Sequence, residues 1–368
     1  MTQGKTHREP LLRIAKRDGL PHWKGWLIRV AAVVLALILS GAFIYAITRL
    51  NPVQVYEAMF EGAFGSSRRS WVTIRDAMML LCIGIGLAPA FKMKFWNIGA
   101  EGQILVGGCM TAGLMLALGG TVPTPVLLVI MAIASLCAGA VWGMIPAVFK
   151  ARWGTNETLF TLMMNYVAIQ ITSYCVALWE NPYGSNVVGI INQSTKDGWF
   201  PELFGQAYGL NVLIVVVLTV GMYIYLKSSK QGYEIAVVGE SQNTARYAGI
   251  RLSKVFIRTM AISGAICGLA GFIAVAGASH TISTSTAGGR GFTAIIVAWL
   301  AQFNTFVMIL ISFLLVFLQK GAIQIASQFN LNDYASNIIT GIILFFILGS
   351  EFFINYRIIL RGGKEGAK

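Results

Sequence analysis

A short polar stretch, residues 97–103 (Asn-Ile-Gly-Ala-Glu-Gly-Gln), interrupts the apolar runs in the first third of the chain. Its carboxylate, Glu101, and its amides, Asn97 and Gln103, could hydrogen-bond a hydroxylated ligand, or could cap free backbone N–H groups at the start of the following helix. An ionisable side chain at the centre of a membrane costs roughly 2.5–3.5 kcal/mol, so a retained one faces protein or water. The stretch is therefore a candidate ligand path, with capping the favoured role of Glu101.

Aromatic side chains lie near this stretch and near a second glycine-rich break around residue 290. Their rings could stack on a base or a sugar face, although aromatic residues in membrane spans more often pack against other helices. Asn165, inside a long apolar run, needs a buried partner, either another helix or a ligand. Glu157, after Gly-Thr-Asn, is expected to cap the helix that follows it. The candidate substrate-pathway residues are Phe91, Phe95, Asn97, Glu101, Gln103, Asn165 and Phe292.

The apolar runs hold no arrangement typical of an enzyme or of a metal site. No His/Glu pair, Ser/Lys pair or pair of aspartates occurs in them, and the five cysteines have no metal-ligand spacing. We therefore predict no catalytic residue, no metal and no directly bound cofactor, which disfavours an intramembrane enzyme. An ion-coupled secondary transporter would need acidic or histidine relays deep in the helices, and Glu101 is the only good candidate for one.

The composition is that of a membrane protein. Hydrophobic residues make up 56% of the chain and charged residues 12%, whereas soluble domains carry about 25% charged residues. About nine or ten apolar runs approach the roughly 20 residues that a helix needs to cross a bilayer. We predict an all-α, polytopic transmembrane helical bundle of about 9–10 helices, with helix breaks near residues 92–103 and 286–302. The predicted helices cover residues 26–48, 72–91, 104–118, 125–149, 157–179, 210–226, 255–277, 305–325 and 335–353, with a half-helix at 292–301.

The formal net charge of +13 is distributed along the chain as a membrane topology requires, because Lys and Arg cluster near alternate helix ends. Basic residues concentrate in cytoplasmic segments, so we place an arm (residues 1–25), a loop (227–254) and a tail (357–368) in the cytoplasm, and the lysine-poor loop 180–208 outside. Residues 26–356 then form a single transmembrane domain, and both termini are cytoplasmic. The charge indicates attraction to anionic membrane lipid and requires no nucleic acid.

The cytoplasmic loop contains the signals of a short helix. Ser241 can cap a helix over residues 242–248, and Gly249 can end it. Ala245 and Ala248 have small side chains on one side of that helix, whereas Arg246 and Tyr247 offer a charged and an aromatic side chain for contact with a partner. Such a helix could be presented to a partner that transmits force into the bundle; a solvated connecting loop explains the same pattern equally well.

Four segments resemble the branched-chain amino acid, ribose and simple-sugar class of permeases from bacterial ABC importers. Residues 97–103 are similar to the NIGAEGQ signature of the nucleoside branch of that class, and residues 157–166 to its E…TLMLNY segment. Residues 232–250 resemble the ATPase-coupling segment, with its Gly-Tyr-Glu opening followed by VGE…AARYAGI. Residues 291–298 stand where the class has GFDGIAVA, with Thr-Ala in place of Asp-Gly. The resemblance covers about residues 70–355.

This resemblance implies a permease subunit, without an ATPase site of its own, that translocates nucleosides across the bacterial cytoplasmic membrane by alternating access. A simple sugar such as ribose or galactose is the alternative substrate. The implied partners are a cytoplasmic ABC ATPase that uses ATP and Mg, a second permease subunit (different or identical), and a periplasmic or lipoprotein substrate-binding protein. The resemblance assigns ATPase coupling to Gly232, Tyr233, Glu234, Gly239, Glu240, Ala245, Arg246, Tyr247 and Gly249.

Overall fold

The computed structural model of the chain describes residues 12–16, 22–203, 205–330 and 356–360, together with residues 338, 341–342, 345–346 and 349. Helices dominate the described residues. They are α1 (His22–Thr48), α2 (Pro52–Phe64), α3 (Ser67–Lys92), α4 (Ala100–Leu118), α5 (Thr124–Trp153), α6 (Glu157–Trp179), α7 (Gly209–Ser228), α8 (Lys230–Glu240), α9 (Gln242–Tyr247), α10 (Leu252–Ala274), α11 (Arg290–Leu300) and α12 (Thr305–Gln328).

Seven of these helices are long and apolar enough to cross a membrane, as judged by length and composition within the described residues. They are α3, α4, α5, α6, α7, α12 and α10 with the π-helical turn Val275–Ser279 that continues it. The predicted all-α polytopic bundle is therefore confirmed. The predicted last helix, residues 335–353, lies mostly outside the described residues, as do most of the predicted arm (1–25) and tail (357–368).

Four elements were not predicted. Two short strands, β1 (Leu12–Lys16) and β2 (Tyr356–Leu360), pair antiparallel, with Leu12 opposite Leu360. Helix α2 lies between the first two predicted helices, 26–48 and 72–91, where no helix was predicted. Helix α8 occupies the first half of the loop 227–254; the only helix predicted in this loop was the one that follows it, over residues 242–248. The domain boundaries proposed from charge and hydropathy remain predictions.

The chain separates into two compact units, and the smaller one comprises residues 1–65 and 317–368. Within it, the side chain of Asn51 caps α2 by accepting from the Val53 N–H at 3.0 Å, and Pro52 follows at the first helical position. The hydroxyls of Ser40 on α1 and Tyr56 on α2 are 2.7 Å apart. These contacts explain why a segment with several charges still folds as a helix.

The larger unit, residues 66–316, is organised around two helices that are buried over most of their length. Every residue from 76 to 91 of α3 is buried. Helix α10 packs against α4 and α5 so closely that a Cβ on Gly268 would overlap the carbonyl oxygen of Ser135, and one on Gly107 would overlap Gly268. Small residues let helix backbones approach in this way, which is the usual means of packing helices where lipid removes the hydrophobic drive.

The loop 180–208 packs on the far end of α10. The π-helical turn there leaves carbonyl oxygens without helical partners, and the loop supplies donors: Phe200 N–H to Ala276 O at 3.1 Å and Ile191 N–H to His280 O at 2.8 Å. The imidazole of His280 stacks on Trp199 with ring centroids 3.7 Å apart, and burial lowers its pKa. A neutral ring is therefore favoured in the folded loop.

The chain is interrupted near both predicted breaks, but the second interruption lies earlier than predicted, because most of the predicted range 286–302 forms helix α11. The first is non-helical only over residues 93–99, and the second consists of the loop 280–289, after which α11 already begins. Helix α3 ends with Lys94 in the left-handed region (φ 58°), where the Lys94 N–H donates to Phe91 O and the Phe95 N–H to Ala90 O. This hydrogen-bond pattern is that of a Schellman motif, which closes a helix by satisfying its last carbonyls.

Candidate functional site

The backbone of the first break is satisfied by the side chain of Asn165 on α6. Its Nδ2 donates to the carbonyl of Ile98 at 2.9 Å, and its Oδ1 accepts from the N–H of Gly102 at 2.9 Å. Thr161, one turn earlier on α6, accepts from the Ile98 N–H at 3.2 Å. Asn165 is 3% exposed. The buried partner of Asn165 is therefore the interrupted backbone between α3 and α4. Irregular backbone at membrane depth must be hydrogen-bonded by protein or water, and Asn165 supplies these bonds.

The two other amides of the break bond to each other and to α10. Asn97 Oδ1 accepts from Gln103 Nε2 at 3.3 Å, and Asn97 Nδ2 donates to the hydroxyl of Ser263 at 3.1 Å. Both amide side chains are buried. The assignment of oxygen and nitrogen follows from the network, since Asn97 Oδ1 also accepts from the Gly99 N–H at 3.0 Å. Helices α4, α6 and α10 therefore meet in one polar cluster at the break.

Glu101 connects the first break to the second. Its Oε1 accepts from the backbone N–H of Gly291 at 2.8 Å, at the start of α11. The carboxylate thus caps a helix N-terminus, which is the kind of role favoured from the sequence. The capped helix is α11, however, and not α4, and Gly291 lies 190 residues from Glu101 in sequence. Arg290, the residue before Gly291, lies with its Nη2 atom 3.8 Å from Oδ1 of Asp76 on α3. A negative charge at a helix N-terminus is stabilising, so this contact holds α11 against α4.

The predicted aromatic residues divide into two groups. Phe91 and Phe95 lie in the core, where Phe95 contacts Phe256 with ring centroids 6.0 Å apart. Phe292, on the first turn of α11, is 46% exposed. Sequence reasoning missed Trp299, whose ring stacks on Trp96 with centroids 5.3 Å apart.

The cap predicted for α6 is wrong in one detail. Asn156 accepts from the N–H groups of Thr158 and Leu159 at 3.0 and 3.3 Å and is the capping residue. Glu157 instead pairs with Lys150 of α5, with an Nζ to Oε2 distance of 2.7 Å. An Asn at this position is as strong a cap as a carboxylate, which leaves Glu157 free to pair across the turn.

The helix predicted in the loop 227–254 is present as α9. Ser241 Oγ accepts from the Thr244 N–H at 3.2 Å, and Gly249 ends the helix in the left-handed region with φ 77°. Ala245 is fully buried, whereas Arg246 is exposed and Tyr247 is 93% exposed. Helix α9 therefore presents a cation and an aromatic ring on a side that no described residue covers.

Helix α8 fixes α9 to the bundle. Gly239 is buried so close to α3 that a Cβ there would overlap the Lys92 carbonyl oxygen and lie 3.3 Å from the Cα of Met93. Glu234 pairs with Arg258 of α10 at 2.9 Å, in a half-buried contact. Gly232 is buried against the end of α7, while Tyr233 and Glu240 point outward. The segment with the predicted coupling residues thus touches the residue at which the first break begins.

Besides Trp299, four contributors were missed from the sequence: Thr161, Ser263, Arg258 and the whole of α8. Arg258 carried a usable signal, because a charge one to two turns inside a long apolar helix needs a buried partner. Ser263 and Thr161 carried none, since small hydroxyl residues are common in membrane helices and satisfy themselves on their own backbone.

An apolar bundle with two joined helix breaks and an exposed helical pair at one end is the architecture of a multi-pass membrane transport protein. The chain belongs to the family described as branched-chain amino acid transport system / permease component, whose model matches residues 72–348. It is an ABC importer permease of the nucleoside and simple-sugar branch, as the resemblance predicted.

Three curated relatives are similar over almost their whole length. The glucose ABC transporter permease protein of Haloferax volcanii is 28% identical, over 96% of this chain and 95% of the relative. The guanosine ABC transporter permease protein NupP of Bacillus subtilis is 30% identical, over 88% of this chain and 93% of its own. The nucleoside ABC transporter permease protein NupB of Lactococcus lactis is 27% identical, over 87% and 90%. No solved structure matches the chain significantly.

Proposed function

We propose that the chain translocates nucleosides across a bacterial cytoplasmic membrane by alternating access, driven by ATP hydrolysis in a separate ABC ATPase. The observation that carries the proposal is the physical connection from the exposed helix α9 through α8 to the first break. A partner that pulls on Arg246 and Tyr247 moves Gly239 against Lys92, and so moves the end of α3. From there the hydrogen bonds of Asn97 and Asn165 lead to α10 and α6.

In this mechanism the polar cluster is a closed gate. Asn97, Glu101, Gln103 and Asn165 are all buried and bonded to protein in this conformation. Separation of α11 from α4 breaks the contact of Glu101 with Gly291 and uncovers a carboxylate and amides that can hydrogen-bond sugar hydroxyls. Phe292, already exposed on α11, then offers a ring for a base. The core residues Phe91 and Phe95 border the same break and complete the proposed path.

The remaining partners follow from the same proposal. A second permease subunit, different or identical, completes the membrane pore, and a periplasmic or lipoprotein binding protein delivers the substrate. Basic residues near α8 and α9 favour a cytoplasmic position for that end, and the proposal puts both termini on the same side. ATP and Mg act only in the ATPase. The second candidate substrate is a simple sugar, which the glucose permease among the relatives favours, at 28% identity over 96% of the chain.

Substrate identity is tested by uptake into vesicles that contain the complete complex. Labelled guanosine, adenosine and uridine are offered with unlabelled ribose or galactose as competitors. Nucleoside uptake that excess sugar does not inhibit supports the proposal. Uptake that is inhibited equally by ribose and by nucleoside, with no preference for the base, assigns the path to simple sugars.

The substitution Arg246→Glu tests the coupling role of α9. Reversing an exposed charge that meets a partner replaces attraction by repulsion, and we expect ATP-driven uptake to fall at least about tenfold. The chain should still insert and assemble, because the side chain of Arg246 is exposed and makes no described contact with the bundle. Arg68→Glu is the matched control, since Arg68 is exposed at the opposite end of α3. Normal uptake by Arg246→Glu contradicts the role assigned to α9.

A further inference from the structure

A cavity of about 270 Å³ opens where the ends of α3 and α7 meet the link between α11 and α12. Two lysines line it, Lys92 on α3 and Lys227 on α7, together with the polar side chains of Gln302 and Asn304. The described residues that line the cavity include no Asp or Glu. Two lysine side chains at one cavity that no acidic residue lines make the cavity favourable for an anion.

Both ammonium groups are available to such an anion. Lys227 Nζ donates to the hydroxyl of Tyr223 at 2.8 Å and lies 5.1 Å from the centroid of that ring. Within the part of the chain that the structure describes, neither Lys227 nor Lys92 forms an ion pair with a carboxylate. The neutral partner of Lys227 fixes its position without cancelling its charge.

The N-terminus of α12 supplies a second, independent feature. Asn304 caps this helix by accepting from the N–H groups of Phe306 and Val307 at 3.1 and 3.5 Å. Thr305, which lines the cavity, is 2% exposed, and its hydroxyl has no partner among the described residues. A helix N-terminus attracts anions, and a buried hydroxyl without a partner is unfavourable until a ligand satisfies it.

The surroundings of the cavity indicate what carries the anion. Below it, α7 and α12 expose apolar side chains in the spans themselves, among them Ile224, Val220, Phe306 and Leu310. A phosphate joined to acyl chains satisfies both the basic cavity and these apolar faces, whereas a free phosphate satisfies only the cavity. The geometry points to a binding site for the headgroup phosphate of an anionic phospholipid at Lys92, Lys227 and Thr305.

The site also lies beside the proposed coupling helices. Lys92 is the residue whose carbonyl contacts Gly239 of α8, and Lys227 lies three residues before α8 begins. A bound lipid therefore stabilises the end of α3 at which the first break starts. The lipid-binding inference depends on the membrane placement of the chain and not on its substrate.

The test uses the purified full-length chain with phosphatidylglycerol or phosphatidylcholine as the added lipid, and lipid binding is measured by native mass spectrometry. The double variant Lys92→Gln/Lys227→Gln should lower the preference for phosphatidylglycerol about tenfold or more. The matched control, Lys230→Gln/Lys254→Gln, removes the same charge at exposed positions of the same end and should change the preference less than about twofold. Equal losses in the two double variants would show general surface attraction and overturn the site.

A second variant keeps the test decisive if the double variant does not fold. Thr305→Val removes the unpartnered hydroxyl at nearly constant shape. It should raise the thermal midpoint in phosphatidylcholine and reduce the increase that phosphatidylglycerol produces. An unchanged increase contradicts the role of Thr305. If inorganic phosphate stabilises the wild-type chain as much as phosphatidylglycerol does, the cavity binds free phosphate and the lipid assignment is wrong.

Discussion

The substitution Gly239→Val is expected to reduce ATP-driven uptake strongly while the chain still inserts into the membrane. The branched side chain would overlap the carbonyl oxygen of Lys92, so α8 must move away from the end of α3. Overpacking of this kind costs typically about 1–3 kcal/mol, and the loss is concentrated at one contact between two helices. Uptake should fall by at least about tenfold, although the ATPase still binds α9 and still hydrolyses ATP.

The chain offers a matched control for this substitution. Gly221, in the middle of α7, has no heavy atom within 4 Å of the position that a Cβ would take. Gly221→Val therefore adds the same side chain to a membrane helix without a clash, and uptake should stay within about twofold of wild type. ATPase activity and uptake are measured on the same reconstituted complex. If Gly239→Val keeps the wild-type ratio of uptake to ATP hydrolysis, α8 does not transmit movement to α3.

The substitution Asn165→Leu is expected to be the most destabilising change in the break. It leaves the carbonyl of Ile98 and the N–H of Gly102 buried without partners, at about 1–3 kcal/mol for each group. The free energy of unfolding should therefore fall by about 2–6 kcal/mol.

Thermal unfolding of the purified chain in lipid measures this loss, and amide hydrogen exchange at Gly102 locates it. Gln170→Leu is the control, because Gln170 is an exposed amide on the same helix. It should leave both the midpoint and the exchange rate nearly unchanged. Wild-type exchange at Gly102 in Asn165→Leu would mean that water already satisfies the break, and the clamp assigned to Asn165 would be wrong.

The helices of the bundle could be predicted from the sequence because a membrane imposes a length and an apolar composition on each of them. The prediction for α6 has the observed bounds, Glu157–Trp179. Helix α8 was missed because Gly232 and Gly239 weaken a helix and are read as loop residues, whereas both are required here for close approach to other backbones. Helix α2 carried a signal that was overlooked, the Asn-Pro pair at residues 51–52.

The chemistry of the candidate site could be predicted only in part. The sequence shows that Glu101 and Asn165 need partners, since neither can be left unpaired at membrane depth. It does not show which partners, because Gly291 is 190 residues from Glu101 and a cap on α4 satisfies the same rule. The contact forms only because α11 packs against α4 in the folded chain. Long-range pairing of this kind depends on tertiary packing and has no local signature.

The central claim is that this chain is a permease whose conformation a separate ATPase changes through α8 and α9. Its most direct test is nucleoside accumulation in vesicles that contain either the chain alone or the chain with its ATPase, second permease and binding protein. We expect no uphill transport by the chain alone under any ion gradient, and accumulation by the complex only when ATP is hydrolysed. Concentrative uptake by the chain alone would contradict the claim.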